Sequence, residues 1–197
     1  MVACVGLVAV LLPTLVGPRV DYSRVVCTNN LRQIGLAFRT WALDNQDLFP
    51  MQVSVTNGGT MELVASGVVS PHFEVMSNEL STPRILLCPY DEKRIYATNF
   101  VGLRDTNLSY FVNMDATKGD GSRLLCGDRN LTNRARPGSR LVPLTEADTI
   151  GWTKEMHQEK GYLIFGDGRV DWLTNGSVRE AISIGGGTTN WLAVPGQ

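Results

Sequence analysis

The chain has 197 residues, 43% of them hydrophobic, enough for one sizeable buried core. Eighteen Lys and Arg against nineteen Asp and Glu give a net charge of −1, so no electrostatic case exists for nucleic acid or a highly charged substrate as partner. Twenty glycines and nine prolines are dispersed along the chain and predict many turns and short strands.

The first stretch, MVACVGLVAVLLPTLVG, carries no charged side chain from Val2 to Gly17. Apolar on every face, it suits lipid or a bundle of like helices better than an amphipathic surface. Residues 1–20 are therefore expected to form an apolar helix and membrane anchor, incomplete at its start, with a helix buried in a soluble core as the alternative. Pro13 would kink it, which neighbouring helices tolerate.

From Tyr22 the apolar residues Val26, Leu31, Ile34, Leu36, Phe38, Trp41, Ala42 and Leu43 recur at intervals of three and four. Arg24, Arg32, Gln33 and Arg39 fall mostly on the other side, predicting an amphipathic helix over 22–45. Pro50 disfavours helix at Phe49, and Asp44-Asn45 favours an earlier stop.

Short elements follow. ELVASGVV reads as a short helix or turn, and RILLCP as a short strand ended by Pro89. LSYFVNMDA and RLLCGDR read as strands flanking the turn KGDGS. In YLIFGDGRVDWL the Asp167-Gly168 pair separates two apolar stretches and predicts a tight type I′ hairpin. On that reading Val170 and Trp172 share a face with Leu163 and Phe165. Residues 176–197 read as a loosely ordered tail that Trp191 pins. The expected class is α+β: a long N-terminal helix packed on a small antiparallel β-sheet head spanning 21–175.

Four cysteines, Cys4, Cys27, Cys88 and Cys126, fit no CxxC or zinc spacing. Three lie beyond the apolar run and cannot all pair with one another, which leaves the pairing and the redox compartment open.

The order of blocks CTNNLRQIGLAF, LDNQDLFP, LLCPYDEKR, NLSYFVNMDA, LLCGDRNLT and WTKEMHQEKGYLIFGDGRV resembles the pilin-like (pseudopilin) proteins of type II secretion and type IV pilus systems, of the Verrucomicrobia and Planctomycetes kind. Nine residues separate His157 from Asp167-Gly168, matching their prepilin-type H-x9-DG motif. The resemblance implies a single-pass bacterial inner-membrane protein with its head in the periplasm. It also implies sister subunits joined through the N-terminal helix, a possible secreted cargo, no cofactor and no catalysis. The family's basic leader, Gly and acidic fifth mature residue have no counterpart here, so no leader cleavage site is assigned.

His157, Gly161, Asp167 and Gly168 are accordingly expected to be structural. His157 would hold a backbone carbonyl or the Asp167 carboxylate, and Gly161 would relieve crowding at the strand's start. A metal-dependent hydrolase would pair His157 with Asp167, and with Asp128 or Asp171. Against it, no nucleophile–base pair or HExxH is present, and the other histidine, His72, falls in an apparent loop. Asp115 and Asp120 resemble calcium ligands but lack EF-hand spacing and read as a solvated turn. No metal site is expected, Asp128 and Arg129 are expected to pair locally, and Arg134, Arg136 and Arg140 to be solvated. A non-assembling envelope protein that binds a ligand such as carbohydrate would need Trp152, Trp172 and Trp191 exposed on one face.

Overall fold

The computed structural model describes residues 22–136, 138–145, 148–183 and 189–196. The apolar anchor expected over residues 1–20 lies outside them. Among the described residues no helix is long and apolar enough to cross a membrane.

Helix α1, Tyr22–Asp44, follows its apolar period. Cys27, Asn30, Leu31, Ile34, Gly35, Ala37, Phe38, Trp41 and Ala42 form its buried stripe. Each fully buried Leu, Ile or Phe contributes about 1.5–3 kcal/mol. Leu36 and Leu43, expected to pack, instead face outward at 64% and 69% exposure, because the stripe at i, i+3 and i+4 passes between them. The helix ends where Gln46 and Asp47 turn left-handed. There Asp47 N–H closes onto the Ala42 carbonyl at 2.9 Å, the usual means of satisfying a last-turn carbonyl.

Between α1 and the sheet lie 3-10 turns and two short helices, α2 (Ser70–Glu74) and α3 (Ser77–Leu80). RILLCP is not a strand: Pro83–Leu86 is a 3-10 turn. Thr82 caps the Arg84 N–H and Pro83 holds the first helical position, so local capping outweighs the β-branched content.

Eight strands follow: β1 (Tyr110–Asn113), β2 (Leu124–Asp128), β3 (Leu131–Asn133), β4 (Leu141–Leu144), β5 (Ile150–Trp152), β6 (Lys160–Phe165), β7 (Val170–Thr174) and β8 (Asn190–Ala193). Helix α4 (Val178–Ser183) precedes β8. Six strands make an antiparallel sheet in the order β4-β8-β1-β2-β6-β7, and β3 pairs with β5 separately. The fold is thus α+β, as expected.

Both faces of the sheet are covered. Tyr110, Val112, Tyr162 and Ile164 join the core beneath α1, while Phe111, Leu163, Phe165 and Leu192 join a second core with Trp152, Val178 and Ile182. Double coverage explains why LLC and YLIF read as unbroken apolar runs rather than alternating ones.

The β6–β7 hairpin forms, with two corrections. Tyr162 pairs with Trp172 and Ile164 with Val170, so the returning apolar residues serve the α1 face and not that of Leu163 and Phe165. Gly168 N–H bonds the Phe165 carbonyl and Phe165 N–H the Arg169 carbonyl. Gly168 has φ +88° while Asp167 is not left-handed. This is a three-residue loop with a glycine bulge, and only Gly168 needs positive φ.

The loosely ordered tail is also corrected. β8 lies inside the main sheet, paired on both sides by β4 and β1, because Leu192 and Ala193 feed the two cores on opposite faces.

Candidate functional site

His157 lies in the 153–159 loop that joins β5 to β6, and the backbone there is unusual. His157, Gln158 and Glu159 have φ of 50°, 53° and 63°, a conformation costing ~1–2 kcal/mol per L-residue. Asn130 stabilises the loop from the turn between β2 and β3: its side-chain amide donates to the Thr153 and Met156 carbonyls at 3.1 and 3.0 Å. Thr153 N–H returns a 2.9 Å bond to the Asn130 carbonyl.

This turn drives the imidazole inward, leaving the side chain 1% exposed. The ring packs against Tyr90, Tyr162 and Trp172, with centroids 4.5, 5.4 and 5.3 Å away. Arg24 of α1 covers Trp172 from outside at 4.8 Å. At the inner end, His157 Nε2 lies 3.3 Å from Cys88 Sγ and 3.4 Å from Asp128 Oδ2.

Asp128 is wholly buried at the end of β2. Its Oδ2 accepts the Tyr162 N–H at 2.7 Å. Burial pushes its carboxyl up to about 8; the nearby Asp91 charge pushes the same way, against the Tyr162 bond and Arg129. Cys88 is disulfide-bonded to Cys27 across a sequence separation of 61, with Cα atoms 5.4 Å apart. The bond ties α1 to the segment after Pro83–Leu86 and resolves the open pairing. Cys126 stays a buried free thiol, its pKa raised by burial and by Asp128.

Behind Asp128 lies a charged network. Arg129 grips Asp91 with a two-pronged fork at 2.6 and 2.7 Å and reaches Glu155 at 2.8 Å; Lys93 adds a 2.7 Å bond to Glu155. The expected Asp128–Arg129 pair is not made: Arg129, in the turn after β2, gives its guanidinium to Asp91 and Glu155 instead. Arg94 donates to the Pro195 and Gly196 carbonyls at 3.1 and 2.9 Å. These contacts lock the 88–94 segment and the 153–159 loop around the imidazole.

Of the carboxylates a hydrolase would pair with His157, the structure brings only Asp128 to it and separates Asp167 and Asp171. His157 precedes β6 while Asp167 follows it, exposed, with Oδ1 accepting the Arg169 N–H at 2.8 Å and its carbonyl accepting Arg39 at 2.8 Å. The expected His157–Asp167 contact is replaced by His157–Asp128. Asp171 pairs with Arg169 at 2.8 Å on the surface. His72 is no loop residue: it is buried in α2, 2.6 Å from Thr60 Oγ1. Burial lowers its pKa to about 4, partly countered by Asp105.

Asp115 and Asp120 do not converge. Asp115 Oδ2 accepts the Trp191 N–H at 2.8 Å, and Asp120 Oδ1 accepts from Ser122 N and Oγ at 3.2 and 2.7 Å. Gly161 faces the Trp152 indole, where a Cβ would collide with the ring, so the crowding it relieves comes from β5. The tryptophans share no exposed face: Trp152 is 2% exposed and Trp191 39%, while Trp172 is half-buried against His157. A cleft of about 260 Å³ beside Arg136, Arg140, Thr153 and Pro195 does not include His157.

The Cys27–Cys88–His157–Asp128 cluster escapes a spacing search because its members come from four separated segments. A faint signal exists in retrospect: Cys27 falls on the buried period of α1, and Asp128 interrupts an apolar strand. Comparison with protein-family models, curated proteins and solved structures finds no match to this chain.

Proposed function

We propose that the chain is a pilin-like subunit of a type II secretion or type IV pilus-like system, acting by anchoring, assembly and binding without chemistry of its own. The observation that supports it most is the placement of α1. This helix begins four residues after the apolar stretch Val2–Gly17 in the sequence and packs along the antiparallel sheet through one stripe. In this reading the apolar stretch holds the protein in the bacterial inner membrane, with the head in the periplasm. In a fibre the same surface is buried against sister helices instead of lipid. The H-x9-DG residues serve the head: His157 fills its interior, and Gly168 turns the hairpin.

The test is fractionation of cells producing the full chain, with cross-linking through Leu36→Cys on the outward face of α1. Inner-membrane recovery with cross-linked multimers is expected. Recovery of an uncross-linked head in the soluble periplasm would overturn the reading. Membrane attachment without multimers would point instead to an anchored ligand-binding protein that does not assemble.

A further inference from the structure

Three donor atoms converge in the interior, and a carboxylate oxygen lies beside one of them. Cys27 Sγ, Cys88 Sγ and His157 Nε2 all lie within 4.8 Å of one another, and Asp128 Oδ2 is 3.4 Å from Nε2. All four residues are at most 7% exposed. They arrive from α1, the segment after Pro83–Leu86, the 153–159 loop and β2. A second observation points to a ligand: Asp128 Oδ1 is buried with no hydrogen-bond partner among the described residues. Leaving such an atom unsatisfied is costly, and more so when it is charged.

We propose that reduction of the Cys27–Cys88 bond turns this cluster into a site for a divalent cation of the zinc type, bound by Cys27, Cys88 and His157, with Asp128 drawn in from beside His157 as the fourth ligand. Two thiolates, an imidazole and a carboxylate are the ligand types zinc takes in tetrahedral sites. Calcium and magnesium, which take about six or more oxygen ligands, find too few here. The thiolates and the carboxylate also supply negative charge that a dication neutralises in a place where water cannot.

The chemistry balances in two steps. A dithiol breaks the S–S bond, supplying two electrons and two protons, and leaves as a cyclic disulfide while Cys27 and Cys88 become thiols. The cation then displaces both thiol protons, and the proton of the buried Asp128 carboxyl, to solvent, since cysteine ligates as thiolate and aspartate as carboxylate. In the oxidised chain the sulfurs are bonded to each other and offer no thiolate. The same position thus holds α1 against the sheet in either redox state, by a covalent bond or by a metal. This inference goes beyond the pilin-like reading and does not depend on it.

The test uses the full chain in detergent, titrated with Co2+ alone. One sample is oxidised; the other is reduced by a phosphine, which becomes the phosphine oxide with oxygen taken from water. The reduced chain is expected to bind one Co2+ with thiolate-to-cobalt charge-transfer absorption and the intense visible bands of tetrahedral cobalt, bleached by Zn2+. The oxidised chain should show neither. Cys88→Ser and His157→Ala should each weaken binding by at least ~10–100-fold, the loss that even outer-shell changes cause. Cys126→Ser should bind like the parent. A reduced parent chain without the tetrahedral spectrum overturns the proposal, whether or not any variant folds. So does a spectrum that survives Cys88→Ser or is lost in Cys126→Ser.

Discussion

Burial decides how individual side chains behave in this head, and the two histidines illustrate it in different ways. His72 is fully buried, with Nδ1 on Thr60 and no hydrogen-bond partner for Nε2 among the described residues. Its folded pKa, lowered to about 4, lies below the unfolded value near 6.5. The unfolded chain therefore binds the proton first, so stability is lost as pH falls from about 6.5 towards 4, by up to about 3 kcal/mol. Denaturation of the parent and His72→Gln across this range should show the difference. The difference also cancels Asp128, which titrates with the opposite slope because its folded pKa is raised. His157 is embedded beside a disulfide instead, and removing that bond is the larger perturbation. For a separation of 61 residues, chain entropy predicts that Cys27→Ser/Cys88→Ser loses about 4 kcal/mol under oxidising conditions, read as a lower denaturant midpoint.

Among the elements, α1 and the hairpin were the most legible in the sequence, and for physical reasons. A long apolar period and an Asp-Gly pair are local signals, so Tyr22–Asp44 and the β6–β7 turn emerge where expected. The hairpin's register was not legible, because an apolar run buried on both faces gives no alternation to mark which residue points where. RILLCP misled for the converse reason: its apolar content suggested strand while Thr82 and Pro83 specified a 3-10 turn. The hairpin loop yields a sharp contrast between its two motif residues. Gly168 alone carries positive φ, so Gly168→Val should cost ~1–2 kcal/mol or more. Asp167→Ala removes only an exposed 2.8 Å bond to Arg169 N–H and should cost under ~1 kcal/mol. Thermal unfolding of the two variants checks the order; an equal loss would mean that Asp167 has a further role in the fold.

At the scale of the molecule, the sheet is assembled from distant parts, and this was the least readable feature. Trp191 hinted at an anchored tail, yet nothing local announces that Asn190–Ala193 slots between β4 and β1. The candidate site has the same character: its ligands are brought together by topology rather than spacing. Deleting residues 176–197 should therefore abolish cooperative unfolding rather than trim a dispensable end. It removes α4 from the second core and takes away the neighbour that holds β4 in the main sheet. Loss of the sigmoidal denaturation curve, with dye binding to exposed apolar surface, is the expected result.

The position of β8 also sets a timetable. A chain made or exported from its N-terminus presents α1, β1 and β4 long before Ala193 arrives, yet β1 and β4 cannot become neighbours in one sheet without β8 between them. Until then the incomplete head leaves open strand edges and apolar surface, the kind of intermediate that holdase chaperones recognise. Vectorial synthesis thus places closure of the sheet among the last events of folding, and makes late-arriving residues decisive for whether earlier ones stay soluble.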